Sequence, residues 1–322
     1  MMNLKSPLLV VLALLSWAPQ TLAESTPPRP ADPLAAFQRA MPELMSAVLR
    51  DRMVWGDLAV RHGWRVQQER LTGGCRILDA TDRPLVKGDC SAALDAFSTM
   101  APEYDAADRS PLVILVHGYN GARHDLMPLA RHLTGLGFRA ETVALPTFLA
   151  GVDDQAQRLN AVVATMGGSG PVMFVAHSMG GLVVRRALAD KPQWMARRGT
   201  SGAVFIGTPF GGSALARIAA DLGVAPLGGP AVRDLLPLAA EVPPSPPVRW
   251  CVIAGGNGGE GWNPLVPGDD DGMIAVDETR LADGEDRILI HAMHVGLLRH
   301  PTTLAAVARF ARGGFCSGAK AS

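Results

Sequence analysis

The hexapeptide Ala176-His177-Ser178-Met179-Gly180-Gly181 is the part of the sequence best suited to covalent chemistry. It follows the apolar run 171–176 and leads into a helical pattern over 179–189. A serine in a sharp strand-to-helix turn is presented above the sheet edge. Such a turn needs small residues two positions before and two after the serine, because backbone and helix crowd there. Ala176 and Gly180 occupy those positions. A helix starting at Met179 also directs its unpaired N–H groups and positive dipole end at the same point. Ser178 is therefore the candidate nucleophile for acyl transfer.

Such a nucleophile needs a base, an acid that orients the base, and two N–H donors for the oxyanion. With a serine in this context the acid and then the base come later in the chain. The segment Gly268-Asp269-Asp270-Asp271-Gly272-Met273-Ile274 offers carboxylates ahead of a glycine and an apolar stretch. Asp271 is the expected acid, and Asp269 and Asp270 are expected to be solvated turn residues. Three aspartates in a row could suggest calcium, but no regular ligand spacing follows them. Among the late histidines, His291 falls within or at the end of the last strand, and His300 precedes Pro301 and the final helix. His294 lies in the loop just past that strand, where a base can reach over the serine, and is the expected base. One oxyanion donor is expected from the Met179 N–H. The other is expected from Tyr119, in His117-Gly118-Tyr119-Asn120-Gly121 at the end of an early strand. His117 is expected to shape that loop.

These residues need a scaffold. Continuous apolar runs rich in β-branched residues, such as 111–116 and 171–176, suit strands buried on both faces. Further strands are expected over 138–145, 202–206, 249–254 and 287–291, with helices over 124–136, from Asp153, and over 179–189. Strand alternating with helix at this spacing predicts an α/β domain: a mostly parallel central sheet with helices on both faces over 111–316. The segment 211–247 is far longer than an ordinary connection and is read as a cap insertion, with short helices over 214–222 and 231–240. Leu235 and Leu238 are expected to help it bury an acyl chain. Residues 24–110 are harder to read. They are assigned to a linker followed by a small accessory or cap region, with a helix over 33–49 and short strands between 63 and 89.

Composition narrows the remaining possibilities. The chain has 322 residues, 30 Lys+Arg against 30 Asp+Glu, so its formal net charge is zero. No basic block points to nucleic acid as a partner. Lys5, the apolar run 8–15 and Thr21-Leu22-Ala23 read as an export signal cleaved after Ala23. The expected location is secreted or periplasmic. Four cysteines follow, Cys75, Cys90, Cys251 and Cys316, which suits two disulfides in an oxidising compartment. The expected pairs are Cys75–Cys90, a local staple, and Cys251–Cys316, which would fasten the C-terminal tail to a core strand.

Taken together, His-Gly-Tyr-Asn, Ala-His-Ser-Met-Gly-Gly, Asp-Gly and His-Val-Gly-Leu-Leu resemble the lipase-like branch of the α/β-hydrolases. That branch includes bacterial triacylglycerol lipases and the hydrolase domain of GPI inositol-deacylase-like proteins. Ile206-Gly207-Thr208-Pro209-Phe210-Gly211-Gly212 resembles a segment after the nucleophile helix of those enzymes, with Phe210 where many have histidine. Val232-Arg233-Asp234-Leu235-Leu236-Pro237 resembles the start of their cap helix. The resemblance implies an α/β-hydrolase fold, no cofactor or metal, and hydrolysis of carboxylic esters. The implied substrate is a small-molecule acyl ester or a lipid, with transient contact to a lipid surface. Acyl transfer, thioester hydrolysis and a non-catalytic binding or chaperone role are the alternatives this fold also hosts.

Overall fold

The computed structural model describes residues 54–105, 108–236, 246–281 and 286–317. The expected signal segment, the helix expected over 33–49 and Leu238 lie outside them.

The N-terminal part is a four-stranded antiparallel meander. β1 (Trp55–Arg61), β2 (Trp64–Glu69), β3 (Cys75–Leu78) and β4 (Pro84–Gly88) pair in sequence order. Helix α1 (Cys90–Met100) closes one face through Ala93 and Phe97. Asp89 caps this helix by accepting the Ser91 and Ala92 N–H groups. The Cys75–Cys90 disulfide pins the start of the helix to β3. β1 and α1 were not foreseen in the sequence, whereas the short strands between 63 and 89 were.

The larger sheet has six parallel strands. β5 (Leu112–Val116), β6 (Arg139–Val143), β7 (Val172–His177), β8 (Thr200–Ile206), β9 (Trp250–Gly256) and β10 (Asp286–His291) lie in the order β10-β9-β8-β7-β5-β6. Every residue of β5 and β7 is buried, as their uniform apolar character demands. Side chains alternate between faces with period two. Leu112, Ile114 and Val116 pack with helices α3 (Val152–Thr165) and α4 (Met179–Ala189) on one side. Val113 and Leu115 pack with α2 (Met127–Gly135) and α8 (Pro301–Gly313) on the other. The fold is that of an α/β-hydrolase. The Cys251–Cys316 disulfide joins β9 to the segment after α8.

A polar seam joins the two sheets. The Asp57 N–H donates to the Ala144 carbonyl at 2.9 Å, and the Ala144 N–H returns a bond to Asp57 Oδ2 at 2.8 Å. Arg65 Nη1 donates to the same Oδ2 at 2.9 Å, and Gln67 Nε2 to Oδ1 at 2.9 Å. All three side chains are buried.

Helix α5 (Gln193–Arg198) precedes β8. The long connection between β8 and β9, read above as a cap, carries α6 (Ala214–Asp221) and α7 (Pro230–Asp234). The helix expected over 231–240 is this short α7, which begins at Pro230 and is closed by Leu235; residues 237–240 lie outside the description.

Candidate active site

The strand order reverses at β5: the chain passes first to β6 on one flank and then to β7 on the other. Ligand sites of open parallel sheets lie at the C-terminal ends of the strands flanking such a switch. The loop after β5 and the turn after β7 meet there.

Ser178 forms that turn. Its backbone has φ 55° and ψ −132°, a conformation that a residue with a side chain adopts at a cost of about 1–3 kcal/mol. The surroundings hold it in place: its N–H donates to the Ile206 carbonyl on the neighbouring strand at 2.8 Å. A Cβ at Gly180 would stand 2.5 Å from the His117 carbonyl oxygen, so the position two after the serine has no room for a side chain. A Cβ at Gly118 would lie 2.6 Å from Ser178 Cβ, which shows how closely the β5 loop approaches the serine. Ser178 keeps partial exposure, while Met179 behind it is fully buried.

His294 and Asp271 meet at the same sheet edge. His294 Nδ1 and Asp271 Oδ2 are 2.6 Å apart, both residues are buried, and the His294 N–H donates to the Asp271 carbonyl at 2.8 Å. The second carboxylate oxygen of Asp271 accepts the Met273 and Ile274 N–H groups at 3.0 and 2.8 Å. That pins the carboxylate, which in turn fixes which imidazole nitrogen carries hydrogen. Gly207 stands alongside; a Cβ on it would lie 3.0 Å from His294 Cε1. Among the described residues, His294 bonds to Asp271, and no hydrogen bond runs from Ser178 to His294.

The other candidates separate cleanly from this pair. His291 is exposed and lies tilted against the Trp262 ring, 5.2 Å between centroids. His300 caps α8 by accepting the Thr302 N–H. The expectation that Asp269 and Asp270 are solvated turn residues is corrected. Asp270 is fully buried and accepts the Gly272 N–H at 2.6 Å and the Asn263 N–H at 3.2 Å. Asp269 is half-buried and accepts the Asn257 and Gly258 N–H groups. Both fold the acid loop by collecting its amides.

Three residues near the site carry roles that local sequence does not reveal. His177 donates from Nε2 to the His294 carbonyl at 3.2 Å, and the two rings lie 4.6 Å apart. Burial, then the neighbouring His294, holds His177 well below the usual imidazole pKa, so it is a neutral prop. Tyr119 sends its hydroxyl to the Gly228 carbonyl in the cap at 2.8 Å, and burial pushes the phenol up to about 12. Its ring packs with Ala216, Ala219, Ala225 and Val232 of the cap. Glu278 accepts the Ala214 N–H at the start of α6 and the Ala275 N–H of the acid loop, and burial raises its pKa. His117 accepts the Leu145 N–H at Nε2, so its Nδ1 donates to the Gly118 carbonyl and braces the β5 loop. Among the described residues, one group of three possible metal ligands exists, Cys251, Asp286 and Cys316, and its two sulfurs are joined in the disulfide.

Residues 106–206 match the family model described as "Putative serine esterase (DUF676)". That stretch contains β5, the elbow and β8. The chain is similar in structure to the Bacillus licheniformis lipase BlEst2 in its propeptide form, with 20% identity and a TM-score of 0.48 over 62% of this chain and 49% of that one. It is similar to phospholipase PlaB from Legionella pneumophila in complex with thio-NAD, with 16% identity and a TM-score of 0.49 over 66% and 59% of the two chains. It is also similar to the metagenomic carboxyl esterase MGS0156, with 18% identity and a TM-score of 0.49 over 94% of this chain and 99% of that one. The aligned part thus spans about half of the lipase and under two thirds of the phospholipase. No curated protein matches the chain in sequence.

Proposed function

We propose that the protein is a serine esterase that cleaves acyl esters, including lipid-type esters, through Ser178, His294 and Asp271. The observation that carries this reading is the strained Ser178 turn at the topological switch point, beside a buried His294–Asp271 pair. Backbone strain of this kind persists only where the surroundings over-determine it, and it clusters at reacting groups.

In this reading Ser178 Oγ attacks the acyl carbonyl while His294 Nε2 takes its proton. Asp271 keeps hydrogen on Nδ1 and stabilises the imidazolium that forms. The N–H groups of Tyr119 and Met179 receive the negative charge that develops on the carbonyl oxygen. The carbon–oxygen bond to the alcohol then breaks, and His294 returns the proton to the departing alkoxide. Water, deprotonated by His294, attacks the acyl-serine; the bond to Ser178 Oγ breaks, His294 returns the proton to that oxygen, and the carboxylic acid leaves. The apolar cap supports an acyl substrate, as do Leu222 and Leu227, which are 42% and 64% exposed. Export through a signal cleaved after Ala23 belongs to the same proposal; two disulfides suit an oxidising compartment.

The test is labelling with a fluorophosphonate, followed by turnover of p-nitrophenyl esters of increasing acyl length. Wild-type protein should label, Ser178→Ala should not, and kcat/KM should rise with acyl length until the pocket is full. A folded wild-type protein that neither labels nor hydrolyses any ester would overturn the reading. Acyl transfer to an added alcohol in preference to water would redirect it.

A further inference from the structure

A cavity of about 620 Å³ opens between the start of α3, α4, the segment that follows β8, and residues at the end of α7 and at 246–247. Its walls are largely apolar: Val152, Leu182, Pro209, Phe210 and Leu236 contribute to them. Among the charged residues on the wall, Arg185 stands apart. Arg185, on α4, is only 8% exposed and makes no hydrogen bond or ion pair among the described residues. Its Nη1 is a buried donor with no partner. The nearest compensation is the Phe210 ring, whose centroid is 5.6 Å from the guanidinium carbon.

The two acids on the cavity wall are otherwise engaged. Asp153 pairs with Arg186 at 2.6 Å, and Asp234 accepts the Val152 N–H at 2.7 Å. Burial alone lowers the Arg185 pKa, to about 10, so the group stays charged at neutral pH. Arg186, already paired with Asp153, and Lys191 are the other cations on the wall. Removing a guanidinium from water without a partner is costly, and proteins seldom leave one so. Such a group is well suited to meeting an anion, because its planar fork matches the two oxygens of a carboxylate or phosphate.

We infer that this cavity is a second binding site, separate from Ser178, for an amphiphile with one anionic head, a carboxylate or a phosphate. Arg185 receives the head, and the Leu182–Phe210 walls take the apolar chain. The inference goes beyond the esterase reading and does not depend on it, since no residue of the proposed triad lines the cavity.

The test is calorimetric titration of the Ser178→Ala protein with decanoate, decyl phosphate, decanol and inorganic phosphate. At least one of the two charged amphiphiles should bind at least tenfold more tightly than decanol and inorganic phosphate, and their ranking identifies the head. Arg185→Met should weaken that binding at least tenfold, while Arg185→Lys, which keeps charge but loses the fork, should fall between. Ligand-free Arg185→Met should melt at the same temperature as its parent or higher, because it discards an uncompensated charge. Decanol binding as tightly as the better charged amphiphile, or charged binding unchanged in Arg185→Met, overturns the inference; so does a failure of both charged amphiphiles to bind. Because Ser178 is absent throughout, these outcomes are independent of whether the protein hydrolyses esters.

Discussion

β5 and β7 bury Leu, Val, Ile, Met, Phe and Ala with no polar side chain before His177, whereas β1 and β2 bury Asp57, Arg65 and Gln67 side by side. The large sheet is held by non-directional burial, which tolerates local change. The small sheet is fastened to it through bonds that must all be present, because losing one partner strands a charge. The region that holds the candidate chemistry is therefore distinct from the region that holds the most fragile contacts. Activity and stability should separate when each is perturbed.

The largest effect expected is on turnover. Asp271→Asn and His294→Ala should each lower kcat by about 10⁴-fold, the loss typical of a triad whose imidazole is misoriented or missing. Their melting temperatures should stay close to wild type. A comparable loss of kcat in folded Asp57→Ala would break the comparison. Asp270→Asn should damage the loop before it damages chemistry, visible as a lower melting temperature alongside reduced activity.

Next comes stability. Asp57→Ala removes the close carboxylate of buried Arg65, leaving Asp82 at 4.0 Å, and should cost about 3 kcal/mol in urea unfolding. The folded fraction should keep its kcat. Replacing Cys75 and Cys90 together by serine should cost about 3 kcal/mol, the value expected for a closed loop of this size. An Asp57→Ala protein as stable as wild type would show that the seam contributes nothing.

The smallest effect is a pH dependence, and it belongs to the large sheet. His117 and His177 are both held below the usual imidazole value, first by burial. As pH falls, the unfolded chain takes up protons at these positions before the folded one does. Their contribution is complete above the unfolded imidazole pKa of about 6.5 and is lost as pH falls toward the folded values. The melting temperature should be level above neutrality and decline between about pH 6.5 and 5, ahead of carboxylate protonation. A level profile to pH 5 would contradict the neutral state assigned to the pair.

The legible parts of the sequence were those whose physics is local. A strand buried on both faces has to be apolar throughout, so β5 and β7 could be read directly. The close approach at Gly180 leaves its mark two positions after the serine. β1 was missed because Asp57 and Arg61 interrupt its alternation, and the compensating groups lie on β2 and beyond β6. The three consecutive aspartates are alike in sequence; only their partners distinguish Asp271, facing His294, from Asp270, buried among amides. Tyr119 was read for its backbone alone, since nothing nearby announces a bond to Gly228, 109 positions away. The cap helix was drawn too long because 231–240 keeps an apolar pattern past the residue, Leu235, that closes α7.

The bonds between Asp57 and Ala144 have a further consequence. The outermost strand of a parallel sheet presents unpaired amides and carbonyls, a rim onto which another chain can add. Just past the end of β6, one residue of the meander occupies both backbone groups of Ala144, its N–H through the Asp57 carboxylate and its carbonyl through the Asp57 amide. The meander thus works as a border as well as a brace. A chain that loses this contact would expose an adhesive margin, and its first symptom would be self-association at high concentration, before the sheet edge that carries Ser178 is disturbed.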